Sequence, residues 1–388
     1  MQKQTTPSIN AHLLRGALIL LSLVATCMTP FALVGGMSGG GGNTNVIETT
    51  VGGATPTPTP SGSPCAVRAY ISNSDSNNVS VIDTSTNTVV ATVPIGGSPR
   101  GVAVNSAGTS AYIAAITNTN SGIVSVIDTA TNTVVATVML GNTFVEGVAV
   151  NPAGTRVYAA GYSTNNVFVI DTASNTVVAT VPVVMQPTGV AVNPAGTFVY
   201  VANTNSNSVS VIDISSNTEV AIIPVARGPV GVAVNPAGTR AYVANSGSAS
   251  VSVINTVTNT VTTTIRVAID PFGVAVNPAG TLAYVAAESG FVSVINTSNN
   301  TVVTTIQVGE VPFGIAVNPT GTLAYVANSA DNNVSVIDTS TNTVVATVPV
   351  GHDPFALGNF IGALPGCLGS TPPPRVTPRP RPTPPPRP

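Results

Sequence analysis

A tyrosine recurs seven times along this chain at almost constant spacing. The positions are Tyr70, Tyr112, Tyr158, Tyr200, Tyr242, Tyr284 and Tyr325, with intervals of 42, 46, 42, 42, 42 and 41 residues. Self-similarity at that period calls for a ring or array of like supersecondary units, since one unit alone cannot bury its apolar face. The residues say which kind of unit. Val, Thr, Asn, Ala, Gly and Ser dominate, Trp is absent, and only 7% of side chains are charged. Val and Thr suit a pleated, half-buried sheet. Asn and Gly supply turns, and the strong helix formers Glu, Lys and Gln are scarce.

Residues 273–308 illustrate one unit. Gly273–Asn277 reads as a strand, and Asn277-Pro-Ala-Gly280 as a tight turn with Pro and Gly at the positions that need them. Leu282–Ala286, Phe291–Ile295 and Thr301–Ile306 read as three further strands. The strands alternate large with small side chains, not apolar with charged ones, so both faces of the sheet are dry. Four-stranded antiparallel sheets packed on both faces are propeller blades. A β-solenoid is the second fold reading, but it needs terminal caps and none is visible.

The inner strand GVAVN begins at Gly101, Gly147, Gly189, Gly231 and Gly273, with GIAVN at Gly314. None precedes Tyr70. A seventh copy, Pro354–Gly362, falls after the last full repeat in register with Pro271–Gly273. The expected fold is therefore an all-β, seven-bladed propeller. Its ring is closed by a C-terminal inner strand in the N-terminal blade, which leaves no open edge at the seam. Cys65 and Cys367 flank that shared blade, and in an exported chain two cysteines so placed are expected to pair.

The motifs Tyr200-Val-Ala-Asn203, Tyr242-Val-Ala-Asn245 and Tyr325-Val-Ala-Asn328 resemble the YVTN-repeat family of seven-bladed propellers. The Val-Ile-Asp runs ending at Asp83, Asp213 and Asp338, and the Asn-Pro-x-Gly turns, match as well. Tyr158-Ala-Ala-Gly161 and Tyr112-Ile-Ala-Ala115 depart from the pattern. The resemblance covers residues 66–362 and implies the same propeller fold.

The ends are not propeller-like. Residues 1–36 read as a signal peptide or signal anchor. Lys3 and Arg15 precede an uncharged apolar stretch from Gly16 to Gly36. Cleavage, retention as a membrane anchor, and lipidation at Cys27 are all open readings. Residues 37–64 form a Gly/Thr/Pro-rich linker, 65–367 the propeller, and 368–388 a Pro/Arg-rich tail for which disorder is expected. These ends place the protein in the periplasm, on the cell surface or outside the cell, with a membrane or cell-wall tether through the N-terminus among its expected contacts.

Chemistry is sparse. Between Cys65 and Cys367 there are 13 acidic and 6 basic side chains, a net of −7, which disfavours nucleic acid. The chain has two histidines, His12 and His352, and no CxxC, so no metal site and no cofactor are expected. The aspartates of the Val-Ile-Asp runs are read as acceptors for the following turn.

The loops from each outer strand to the next inner strand differ from blade to blade, whereas the strands do not. They carry Arg100, Glu146, Gln186, Arg227, Asp270, Glu310, His352 and Asp353. The residues just before the inner strands are Arg100, Glu146, Thr188, Val230, Phe272, Phe313 and Phe355. In a propeller these ring one mouth of the central channel, which makes them the candidate ligand-binding set, with loop drift and a phenylalanine plug as the competing reading. The expected function is a non-catalytic binding or surface-structural module that takes a protein, glycan or small molecule there. The alternative is a propeller enzyme of lactonase-like type.

Overall fold

The computed structural model describes residues 66–365. The N-terminal apolar stretch, the linker, both cysteines of the expected disulfide and the tail lie outside the described residues. Seven four-stranded sheets form the domain, antiparallel within each blade. Blade 1 comprises Val67–Asn73, Asn78–Asp83 and Thr88–Pro94 with Ile361–Ala363 as its innermost strand. Blades 2 to 7 follow in chain order, with inner strands Ser98–Val104, Val145–Val150, Pro187–Val192, Pro229–Val234, Pro271–Val276 and Pro312–Val317.

Local chemistry sets each strand end. In blade 6, Asn277 Oδ1 accepts the backbone N–H groups of Thr281 at 2.8 Å and Leu282 at 3.0 Å, while Gly280 takes a φ of +70°. The turn after the third strand is held the same way. Asp213 Oδ1 accepts the N–H groups of Ser215 and Ser216 at 2.8 and 3.0 Å, and Asn255 does the same for Val257 and Thr258. Asn can replace Asp there because the turn needs only an acceptor.

The core lies between blades, in layers. One face of blade 6 sets Ala283, Val285 and Ile295 against Tyr242 and Val253 of blade 5. Its other face sets Tyr284, Val292 and Val294 against Ala324 and Val326 of blade 7. Each repeated tyrosine thus reaches into the next blade. At the ring's seam the Tyr325 hydroxyl donates to Asn87 Oδ1 in blade 1, at 2.8 Å. Burial pushes the Tyr325 phenol up to about 12.

Nearer the axis the blades touch through glycine. A Cβ on Gly147, Gly189, Gly231 or Gly273 would sit 2.2 to 2.4 Å from a carbonyl oxygen of the next blade. No other residue permits that approach. At the perimeter each outer strand carries an extra residue that pairs with nothing: Val90, Val135, Val178, Val220, Thr262, Val303 or Val345. These bulges twist the exposed edges away from further pairing, a job that charges do elsewhere.

The ring closes as expected, with a C-terminal strand innermost in blade 1. Pro354–Gly362 as a whole, however, is not one regular strand. It bridges to Asn73 at Pro354, then leaves the sheet and returns at Ile361, which pairs with Ala69. In between, Leu357 and Asn359 accept N–H groups from Val102 and Val104 of blade 2 at 2.9 and 3.0 Å. The segment cannot copy GVAVN because it reads Ala356-Leu-Gly-Asn-Phe360. Ala356 sits at φ +44° and Gly358 at +122°, which turns the chain out of register. One segment therefore staples two blades.

Candidate functional site

The mouth on the outer-to-inner loop side is built from a bulge repeated in every blade from 2 to 7. In blade 6, Pro271 pairs with Ala287 and Val274 with Val285, so Phe272 and Gly273 face one residue of the partner strand. A bulge re-aims the side chain it carries. Here it presents the residue before the glycine toward the axis. In blades 2 to 7 that residue is Arg100, Glu146, Thr188, Val230, Phe272 or Phe313, and Phe355 joins them from the C-terminal segment.

These seven do not leave an open funnel. Phe272 meets Phe313 edge to face, with ring centroids 4.8 Å apart, and Phe313 stacks on Phe355 at 4.5 Å. The Arg100 guanidinium carbon lies 5.2 Å from the Phe355 ring centroid, which continues the contact. Arg100 then pairs with Glu146 at 3.4 Å, and Thr188 donates to Val230 O at 3.2 Å. Glu146, Thr188, Val230, Phe313 and Phe355 are all buried. The ring is a plug, aromatic on one side and polar on the other.

Its electrostatics are those of a buried site. Burial pushes the Glu146 carboxyl up, against the pull of the neighbouring Arg100 charge. Burial also raises Asp353, against a hydrogen bond from the Ser329 hydroxyl; the Asp75 charge adds to the rise and Arg100 opposes it. Tyr162, the one tyrosine out of phase with the repeat, donates to Gln186 Oε1 at 2.9 Å.

The remaining candidates occupy two other layers. Gln186, Asp270 and Asp353 stand just before the loop proline with φ of +58°, +54° and +53°, so each forms the turn that delivers its neighbour to the plug. The Gln186 and Asp353 N–H groups are tied to Asn165 and Asn332 side chains at 2.9 and 3.0 Å. Arg227, Glu310 and His352 lie outside, exposed on the rim. Phe144, Met185 and Ile269 share that rim at 41%, 55% and 65% exposure. Neither charge nor a place before the glycine marks these three in the sequence. Ser72 is equally unmarked, yet its hydroxyl donates to Arg100 O at 2.6 Å and accepts from Ala356 N at 2.7 Å. Nothing in the repeat marks Ser72, since its partners come from the seam.

The open space is at the other end. A cavity of about 540 Å³ runs from the glycine layer to the Asn-Pro turns, lined by Gly, Ala and Val of the inner strands, with no charged side chain. Val150, Val192, Val234 and Val276 at its far end are partly exposed, so it opens on the turn side. Among the described residues no three His, Cys, Asp or Glu side chains gather as a metal-binding cluster.

No family model matches the chain, and no curated protein matches it either. Solved structures do. Kuenenia stuttgartiensis hydrazine synthase aligns with a TM-score of 0.63 at 22% identity, over 70% of this chain and 92% of that one. A functionally unknown protein from Desulfotomaculum acetoxidans DSM 771 aligns with a TM-score of 0.66 at 18% identity, over 76% and 98%. At these identities the likeness is one of fold.

Proposed function

We propose that this chain is an exported, non-catalytic binding module that offers its plugged face to a protein partner. The observation that carries the reading is the rim. The loops that diverge between blades all meet on one face, and exposed Phe144, Met185 and Ile269 stand there among Arg227, Glu310 and His352. Apolar anchors among charges on a rigid scaffold suit a protein surface. A closed plug beneath them leaves no chamber on that side for a small substrate, which weighs against the lactonase-like alternative.

The chain direction supports the same reading. Leu364 N donates to Ala66 O at 2.9 Å, on the side of the Asn-Pro turns, so both ends of the described chain lie opposite the rim. A tether through the N-terminus would then turn the rim outward.

The test is site-specific photo-crosslinking of the full chain in its native envelope or secreted fraction. A probe at Met185 should give one adduct of defined mass, and the same probe at Val345 on the perimeter none. Phe144→Ser with Ile269→Ser should remove the adduct. Equal labelling at both positions, or lactone turnover by the purified chain, overturns the proposal.

A further inference from the structure

The closing segment shows what the channel wall can hold. The inner strands turn an edge toward the axis, and on blade 2 that edge is occupied. Val102 and Val104 donate to Leu357 O and Asn359 O at 2.9 and 3.0 Å, in parallel alignment with Gly101 opposite Leu357. The repeat places the same N–H groups at Val190 and Val192, at Val232 and Val234, and at Val274 and Val276. None of these makes a backbone hydrogen bond beyond its own blade. An unpaired strand edge is a template for an added strand. Here the edges face a cavity of about 540 Å³ that opens on the turn side, a size that suits a ligand.

We propose that this channel is a β-addition site for an extended, uncharged peptide segment with small side chains. The chemistry of the occupant follows from the wall. With no charged residue lining the cavity, a charged side chain would be desolvated without a partner. A proline at a pairing position would lack the donor. The backbone supplies the affinity, as it does for residues 357–359. The site lies opposite the rim and stands independently of the partner proposed there.

The probe is an acetylated, amidated Gly-Val-Ala-Val-Asn peptide, the sequence of residues 273–277, titrated into the full chain by calorimetry. Saturable binding is expected. N-methylation of alternate backbone amides should weaken it by about tenfold or more, and of the intervening amides far less, because only every second N–H faces the wall. Asn359→Trp, which fills the channel from an exposed position, should abolish binding, and Val345→Ser on the exposed perimeter should leave it unchanged. Three results overturn the proposal. They are no saturable heat into the millimolar range, N-methyl effects without alternation, and displacement of the closing segment, seen as faster amide exchange at Val102 and Val104. Should Asn359→Trp fail to fold, the N-methyl series on the unaltered chain decides the matter.

Discussion

The two mouths of the channel are made from the same repeat and behave in opposite ways. On the turn side the blades are near copies. Asn151, Asn193, Asn235, Asn277 and Asn318 each hold two backbone N–H groups in the same manner. The turn aspartates there are half-buried but held in the charged form by the turns they cap. On the loop side the blades contribute Arg, Glu, Thr, Val and Phe in turn, and burial raises the carboxyls of Glu146 and Asp353. Repetition therefore marks where backbone must be satisfied, and divergence marks where side chains meet across the axis. The glycine layer separates the two regimes.

The sharpest way to break this contrast is to delete an arginine on each side. Arg100→Ala leaves Glu146 buried without its counter-charge. Breaking a buried pair from one side costs about 3–5 kcal/mol, and loss of the Phe355 contact adds to it. Arg156 pairs with Asp171 on the turn side, but with side-chain exposures of 37% and 21%. Arg156→Ala should cost ~1 kcal/mol or less. Denaturant unfolding at neutral pH measures both. Equal losses would mean that the plug is no more buried in effect than the turns.

The pH dependence should separate the mouths by sign. The backbone N–H of Thr131 pulls Asp128 below the usual carboxylate range, and the hydroxyls of Ser215 and Ser340 do so for Asp213 and Asp338. A group whose folded pKa is lowered contributes fully above its unfolded value and loses that contribution as pH falls through the folded one. Glu146 is raised by burial. The unfolded chain ionises it first, so its effect is a loss of stability as pH rises above the ordinary glutamate value of about 4.3. Melting temperatures across the acid-to-neutral range should show Asp128→Asn, Asp213→Asn and Asp338→Asn together flattening the acid limb. Glu146→Gln should remove the loss on the other limb. The natural Asn255 and Asn296 indicate that the aspartate changes leave the turns intact. A Glu146→Gln effect confined to the acid limb would break the comparison.

Much of the fold was legible because a period is a strong constraint. Seven tyrosines count seven blades, and in blade 6 the strand limits read from GVAVN and its followers lie within two residues of those observed. The Asp turns were legible for the same reason, since one acceptor recurs in one place. The seam was not. Ala356 and Gly358 break the repeat, and a broken repeat does not say where the chain goes instead. The mouth was half legible. Loop divergence pointed to Arg100, Glu146 and the three phenylalanines, yet whether seven inward side chains leave a hole depends on their volumes and rotamers. Pattern carries neither. Nor could the split of Gln186, Asp270 and Asp353 into turn formers be read, because a left-handed backbone is common only for Gly and Asn.

That last point yields the smallest predicted effect and the finest test of the loop side. The residue before the loop proline takes a positive φ in five blades: +58° at Gln186, +67° at Gly228, +54° at Asp270, +51° at Val311 and +53° at Asp353. Glycine accepts that conformation freely, and a β-branched side chain does not. Three of the loops are also tied from the residue 21 positions earlier, through Asn165, Asn207 and Asn332. Val311 has Gly290 at that place, so it holds its backbone without such a tie. Val311→Gly should therefore stabilise the domain by ~1 kcal/mol, the left-handed penalty less the extra freedom given to the unfolded chain. Gly228→Val at the equivalent place should destabilise by more than that, since its Cβ would also sit 2.9 Å from the Gly247 backbone nitrogen. The pair can be measured by denaturant unfolding with an unchanged slope. A loss of stability in Val311→Gly would show that the valine side chain, packed against the Phe313–Phe355 cluster, contributes more than its backbone costs, and would make it part of the plug.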